Sequence, residues 1–270
     1  TIKSSENYER RFIMTFPNET LPKGRKQKTT ALYDRFVEQG AVMGDSFGLE
    51  NVLWFANNKE DAHEEPTIKR SRSHDYVSKE VINVRENVGL IEVANFSKHE
   101  FRGTEARKFL DYVMAGKLPN PGRISLSPML SYRGKLCGDL TVACFDENEF
   151  MVFGSGAAQE MHRRWFESHL DKFDVNYKNR SDEFHGISIA GPNSRKVLEK
   201  IVRDDVSNEK FKFRDSKRMF VGGVPAIINR ISFTGELGYE IYVAPHYQIK
   251  LYEELMEAGR EFNIKPFGGR

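Results

Sequence analysis

Hydrophobic and polar positions along this chain alternate between a helical rhythm and a strand rhythm from about residue 76 onward, and ahead of that point the rhythm is faint. Over residues 76–88, Val77, Val81, Val84 and Val88 fall on one helical face, with Gly89 as a stop. Residues 90–96 then predict a strand. Thr104 is placed to cap a helix through Met114 that buries Ala106, Phe109, Leu110 and Val113. Three alternating stretches, 123–130, 135–145 and 149–153, follow with short turns, which predicts an antiparallel meander. A helix over 159–170 is expected to turn Met161, Trp165 and Phe166 inward. A second α+β unit comes next: a strand over 184–190, a turn at Gly191-Pro192-Asn193-Ser194, and a helix carrying Val197, Leu198, Ile201 and Val202. Strands at 217–221 and 224–233 flank Gly222-Gly223, a two-residue hairpin signal. A last strand at 239–244 leads to Pro245, which opens a helix to Gly259. In residues 1–56 the pattern is weak except at 29–39, where Leu32, Phe36 and Val37 predict a short helix ended by Gly40. Residues 57–74 are polar and mixed in charge, as a surface loop or linker would be.

Composition narrows the class. The chain has 270 residues, enough for one large domain or two small ones, with 39% hydrophobic and 30% charged residues. Forty-one basic against 39 acidic residues leave a net charge of +2, so neither nucleic acid nor an anionic membrane is expected as a partner. No apolar run approaches the roughly 20 residues that span a bilayer. Cys137 and Cys144 lie on opposite faces of one predicted strand and cannot pair with each other. Free thiols fit a reducing compartment, the cytoplasm or, in a eukaryote, the mitochondrial matrix.

Candidate chemistry sits in two strands. In 135–145, Leu136, Gly138, Leu140, Val142 and Cys144 share one face, while Cys137, Asp139, Thr141, Ala143 and Phe145 share the other. Asp139 is the one charge on its face, and a desolvated carboxylate there needs a partner or a ligand. Gly138 beside it leaves room for a bulge or for the close approach of a flat group. In 239–244, Glu240 and Tyr242 face away from Tyr239, Ile241 and Val243. Taken alone, Asp139 reads as a hydrogen-bonded structural aspartate and Glu240 as a salt-bridged strand residue. Gly154-Ser-Gly-Ala-Ala-Gln159 lacks the third glycine of a dinucleotide loop and reads as a turn. The seven histidines show no metal-ligand spacing, and His162 and His169 read as surface or boundary residues. No nucleophile motif is present.

Several pieces together, each loose alone, resemble the aminomethyltransferase family, the T-protein of glycine cleavage and its relatives. They are Val84-Arg-Glu-Asn-Val-Gly-Leu90, Gly134-Lys-Leu-Cys-Gly-Asp-Leu-Thr-Val142, Ile189-Ala-Gly-Pro-Asn-Ser194, Phe233-Thr-Gly-Glu-Leu-Gly-Tyr-Glu-Ile241 and Phe267-Gly-Gly-Arg270. Two earlier stretches, Phe16-Pro-Asn-Glu19 and the run from Gly40 to Phe55, resemble the version fused behind a flavin domain in dimethylglycine and sarcosine dehydrogenases. The resemblance implies an α+β fold of two interleaved, mainly antiparallel sub-units around a central folate cavity. Residues 1–75 would be an extension following an absent flavin domain. Residues 76–270 would form the folate-binding domain, its closing β-barrel missing beyond Arg270.

The same resemblance implies tetrahydrofolate as the cofactor, with FAD only through the absent domain. The iminium or formaldehyde equivalent of a demethylated glycine would be captured as 5,10-methylenetetrahydrofolate. Asp139 would lie near the reactive folate nitrogens, Glu240 would hydrogen-bond the pterin, and Phe233, where relatives often carry Tyr, would stack. Tyr132 is a further expected folate contact, and Arg270 would meet the tail carboxylates. The alternative is a non-catalytic folate-binding or structural module, because fold alone does not settle chemistry.

Overall fold

The computed structural model describes residues 2–17 and 19–270; Thr1 and Asn18, the latter inside the 16–19 piece quoted above, lie outside the described residues. The N-terminal stretch holds more regular structure than its weak periodicity predicts. Helix α1 (Ile2–Glu9) and helix α2 (Tyr33–Glu38) precede a hairpin of β1 (Ala41–Ser46) and β2 (Leu49–Phe55). Leu32, Phe36, Ala41 and Val52 are buried in the same core as later strands, so tertiary contacts supply what local pattern lacks.

Helix α3 (Ser73–Glu86) leads into β3 (Val88–Glu92), β4 (Phe96–Arg102), helix α4 (Ala106–Val113) and the meander β5 (Arg123–Leu130), β6 (Leu136–Asp146) and β7 (Glu149–Ser155). Helix α5 (Gln159–Glu167) and strand β8 (Asn176–Asn179) follow. The chain then forms β9 (His185–Ala190), α6 (Ser194–Ile201), β10 (Ser216–Val221), β11 (Val224–Asn229), β12 (Gly238–Val243), α7 (Gln248–Gly259) and β13 (Ile264–Pro266). The β10–β11 turn is made as expected: Gly222 and Gly223 have φ of 57° and 80°, the left-handed values that favour glycine.

Two large sheets result. One has six strands in the order β10-β11-β12-β9-β3-β13, and the other five in the order β5-β6-β7-β4-β8. Strands β4 to β8 are consecutive in the chain and nest between β3 and β9 of the six-stranded sheet. Every strand pair is antiparallel except β13 with β3. On its outer face the six-stranded sheet packs Val88, Ile189, Ile228, Tyr239 and Ile241 against α2, α6 and α7. The outer face of the five-stranded sheet packs Phe101, Leu140, Val142 and Phe150 against α4 and α5. Between the sheets a smaller core joins Ile124, Ala143, Met151 and Phe153 to Ile227 and Tyr242. The architecture is helix, sheet, sheet, helix, with the third core as the floor of the interior.

Several side chains differ from their sequence reading. Val81 and Met161 are exposed, whereas His162 and His169 are buried, at 2% and 4% exposure, rather than lying on the surface. His162 fills the space left by Gly138 and Gly154, and His169 packs among Tyr112, Tyr132 and Trp165. A Cβ on Gly138 would sit 2.7 Å from His162 Nε2, so the flat group approaching Gly138 is this imidazole. The bulge lies beside it, where the register shifts between Met129 and Leu130 opposite Gly138 and Leu136. Thr104 does not cap α4; its hydroxyl bonds Asp174 Oδ2 at 2.6 Å. Among the described residues, no helix is long and apolar enough to cross a membrane.

Candidate functional site

The period-2 alternation of β6 and β12 sends Asp139 and Glu240 into the space between the sheets. Leu140, Val142 and Cys144 of β6 bury outward against the helices, which leaves Asp139 and Thr141 facing inward. In β12, Tyr239, Ile241 and Val243 bury outward, and Glu240 and Tyr242 turn inward. Both carboxylates line one cavity of about 580 Å³. Phe233 lines it too, on the loop between β11 and β12, with its ring centroid 6.2 Å from Phe96 of β4. Residues Gly154 to Ala157 form another part of the wall. Gly156 must be small there, because a Cβ would lie 2.1 Å from the Asn95 carbonyl oxygen.

The two carboxylates differ in environment. Asp139 is exposed to the cavity, opposite Pro128 in the ladder, and makes no hydrogen bond or ion pair with another described side chain. This corrects the expectation of a desolvated aspartate: the cavity solvates it. Glu240 is 7% exposed, and its Oε2 accepts a hydrogen bond of 2.8 Å from the Tyr242 hydroxyl. Burial pushes the Glu240 carboxyl up to about 7, against which the Tyr242 hydrogen bond and the Lys98 charge act. Tyr242 is held in turn by stacking on Phe153, centroids 4.6 Å apart, and by Gly186, where a Cβ would lie 2.6 Å from the ring.

Tyr132 and Arg270 are placed elsewhere. Tyr132 is 83% exposed on the β5–β6 turn; its hydroxyl hydrogen-bonds His169 Nε2 at 2.8 Å and its ring packs on Trp165. Arg270 pairs with Glu64 at 3.1 Å, and its backbone N–H donates to the Leu53 carbonyl. Neither lines the cavity. Sequence reasoning missed the wall from Gly154 to Ala157, which it read as a plain turn. It also missed Phe96, whose role depends on the neighbouring loop. A strand–Gly-x-Gly–helix junction was the available signal.

A second cavity of about 530 Å³ has Met151, Ile227 and Tyr242 in its wall and Arg102, Arg180 and Arg218 around it. Those arginines are engaged by Glu149, Glu100 and Glu183. Neither Asp139 nor Glu240 faces it. The cavity holding both carboxylates is therefore the candidate site.

Two facing sheets flanked by helices enclose an aromatic and acidic cavity of the size that small ligands occupy. The chain belongs to the GCVT N-terminal domain family, which matches residues 32–270. It is 34% identical over 270 residues to the mitochondrial dimethylglycine dehydrogenase of Homo sapiens, covering 98% of this chain and 31% of that one. It is 32% identical over 250 residues to sarcosine oxidase subunit alpha of Rhizobium meliloti (strain 1021), covering 89% of this chain and 24% of that one. The chain thus spans about a third or less of these relatives. Among solved structures, the glycine cleavage system aminomethyltransferase T from Bartonella henselae matches with a TM-score of 0.72 at 21% identity, over 90% of this chain and 60% of that one. That likeness shows the fold.

Proposed function

We propose that this chain binds tetrahydrofolate between its sheets and carries out one-carbon transfer of the aminomethyltransferase type. The observation that carries the reading is the convergence of Asp139, Glu240 and Phe233 on one cavity, three residues far apart in sequence. The cavity suits the ligand: its volume lies within the range of roughly 300–1,000 Å³ usual for small-molecule sites, and it joins aromatic wall to carboxylate acceptors. When bound, tetrahydrofolate supplies the nitrogens that take up the one-carbon unit. Glu240, ionised, accepts hydrogen bonds from adjacent ring N–H donors, and Tyr242 fixes the direction of the carboxylate. Phe233 and Phe96 offer aromatic faces for stacking. The exposed Asp139 carboxylate would stabilise positive charge on the arriving carbon–nitrogen unit and accept the proton that the attacking ring nitrogen gives up as it bonds to that carbon.

The source of that unit is inferred from the relatives' names, as oxidation of dimethylglycine or sarcosine, and the family resemblance implies that FAD serves that oxidation outside the folate cavity. The test is an anaerobic calorimetric titration with tetrahydrofolate. Trp54 is fully buried and Trp165 lies outside the cavity wall, so heat is a better reporter than fluorescence. Saturable binding in the micromolar range, about −8 kcal/mol, supports the reading, and no heat at millimolar ligand overturns it.

A further inference from the structure

Behind the cavity wall lies a charge that the proposed transfer does not use. Lys98 of β4 is fully buried, at 0% exposure, which is rare for lysine unless it is paired. Its ammonium donates only to carbonyl oxygens, to Ala94 at 2.9 Å and Ser181 at 3.4 Å, and no carboxylate among the described residues lies within ion-pairing distance. Nζ lies 5.8 Å from the centroid of the Tyr242 ring, whose hydroxyl holds Glu240. Burying a lysine stem and ammonium with no direct counter-charge costs stability, and a nonpolar residue would fill the space without that cost. A buried ammonium beside the tyrosine that grips the cavity's acceptor has an evident use.

We propose that Lys98 is a positioning residue for the ligand site, its buried charge behind Tyr242 easing the ionisation of Glu240 that lets the carboxylate accept N–H donors from the bound ring. This rests on the folate reading for the identity of the ring, but not for the effect on Glu240. The groups facing Lys98 are Glu92 on β3, Glu240 and Tyr242 on β12, His185 on β9, and Asp182 and Lys28 beyond the sheet. Glu92 is engaged with Thr30 and Gln248, and Gln248 with His185, so these residues form a separate hydrogen-bonded set. Those facing Glu240 are Tyr242 and Lys98, with Asp139 of β6 on the wall of the same cavity. Burial draws the Lys98 ammonium down to about 7 and Glu240 up to about 7. Lys98 carries its charge below that pH, where Glu240 most needs help to ionise. Its influence fades above pH 8, where Glu240 is ionised unaided.

The experiment replaces Lys98 with Met, close in length and uncharged, and separately with Arg. The carboxyl of Glu240 is followed by carbon NMR against pH without ligand, using Glu240→Gln to assign the signal. Tetrahydrofolate binding is measured by anaerobic calorimetry at pH 6 and pH 9. In Lys98→Met the Glu240 midpoint is expected to rise by about half a unit to one unit. Binding at pH 6 weakens about three- to tenfold, while binding at pH 9 stays within about twofold of the parent. Lys98→Arg, which keeps the charge, restores the midpoint if it folds. An unmoved midpoint in folded Lys98→Met overturns the inference, as does an equal loss of affinity at both pH values, which marks a packing role. Should the parent bind no tetrahydrofolate, the folate reading falls and the NMR midpoint still decides the role of Lys98.

Discussion

Strands β6 and β12 approach one cavity from opposite sheets and each delivers one carboxylate, yet the two carboxylates are unlike. Asp139 stands in the first half of its strand near a bulge, exposed and free of partners among the described side chains, whereas Glu240 is in a strand buried at every position and is gripped by Tyr242. In the proposed reaction this difference would divide their work. A solvated, unpartnered carboxylate is available to a changing charge, while a buried and tethered one recognises a fixed pattern of donors. The proposal gives the same carboxylate chemistry two tasks because packing leaves one carboxylate open to the cavity and tethers the other.

The largest effect that tests this division is expected at Asp139. Asp139→Asn should slow methylene transfer by about a hundredfold or more while leaving the tetrahydrofolate dissociation constant nearly unchanged, as read by single-turnover assay and calorimetry. Equal losses in both would make Asp139 a wall of the pocket. At Glu240 the reverse is expected: Glu240→Gln should weaken folate binding by about tenfold at pH 8. It should also change the stability profile. With its folded-state carboxyl raised to about 7, the stabilising contribution of Glu240 is present at low pH and is lost as pH rises toward and through 7. Denaturant titrations of Glu240→Gln should therefore lose that part of the decline, and an unchanged slope would contradict the buried assignment.

Gly186→Ala sharpens the comparison from behind, since its methyl would press on both the Tyr242 ring and Val93 at 2.6 Å. A stability loss of about 1–3 kcal/mol and weaker folate binding are expected, with transfer from the bound complex spared. The smallest effect belongs to Phe233→Ala. At 87% exposure the side chain contributes little to folding. Thermal unfolding should be nearly unchanged, while ligand affinity falls by about 1 kcal/mol; full affinity would remove Phe233 from the site.

Much of the fold was legible in the pattern. The meander β5–β7 and the shared face of Glu240 and Tyr242 follow from period-2 alternation, and the β10–β11 hairpin from Gly222-Gly223. The strands β1, β2 and β13 were not, because their order comes from pairing and from burial against distant residues such as Tyr252 and Leu90. Asp139, Glu240 and Phe233, expected from the sequence to act together, line one cavity in the structure. Exposure was the illegible quantity. Sequence alternation indicates which face a carboxylate takes, not whether the space on that face is packed, as it is around Glu240, or open, as it is around Asp139. Lys98 was equally hidden, since a lysine in a strand reads as solvated until the second sheet covers it.

The division between the two carboxylates is tested most directly by counting protons on tetrahydrofolate binding at pH 6, by anaerobic calorimetry in two buffers of different ionisation enthalpy. At that pH Glu240 is largely protonated in the free protein and must ionise to accept ring N–H donors. The expected result is release of close to one proton by the parent and by Asp139→Asn, and almost none by Glu240→Gln. Release that persists in Glu240→Gln, or that vanishes in Asp139→Asn, would contradict the assignment.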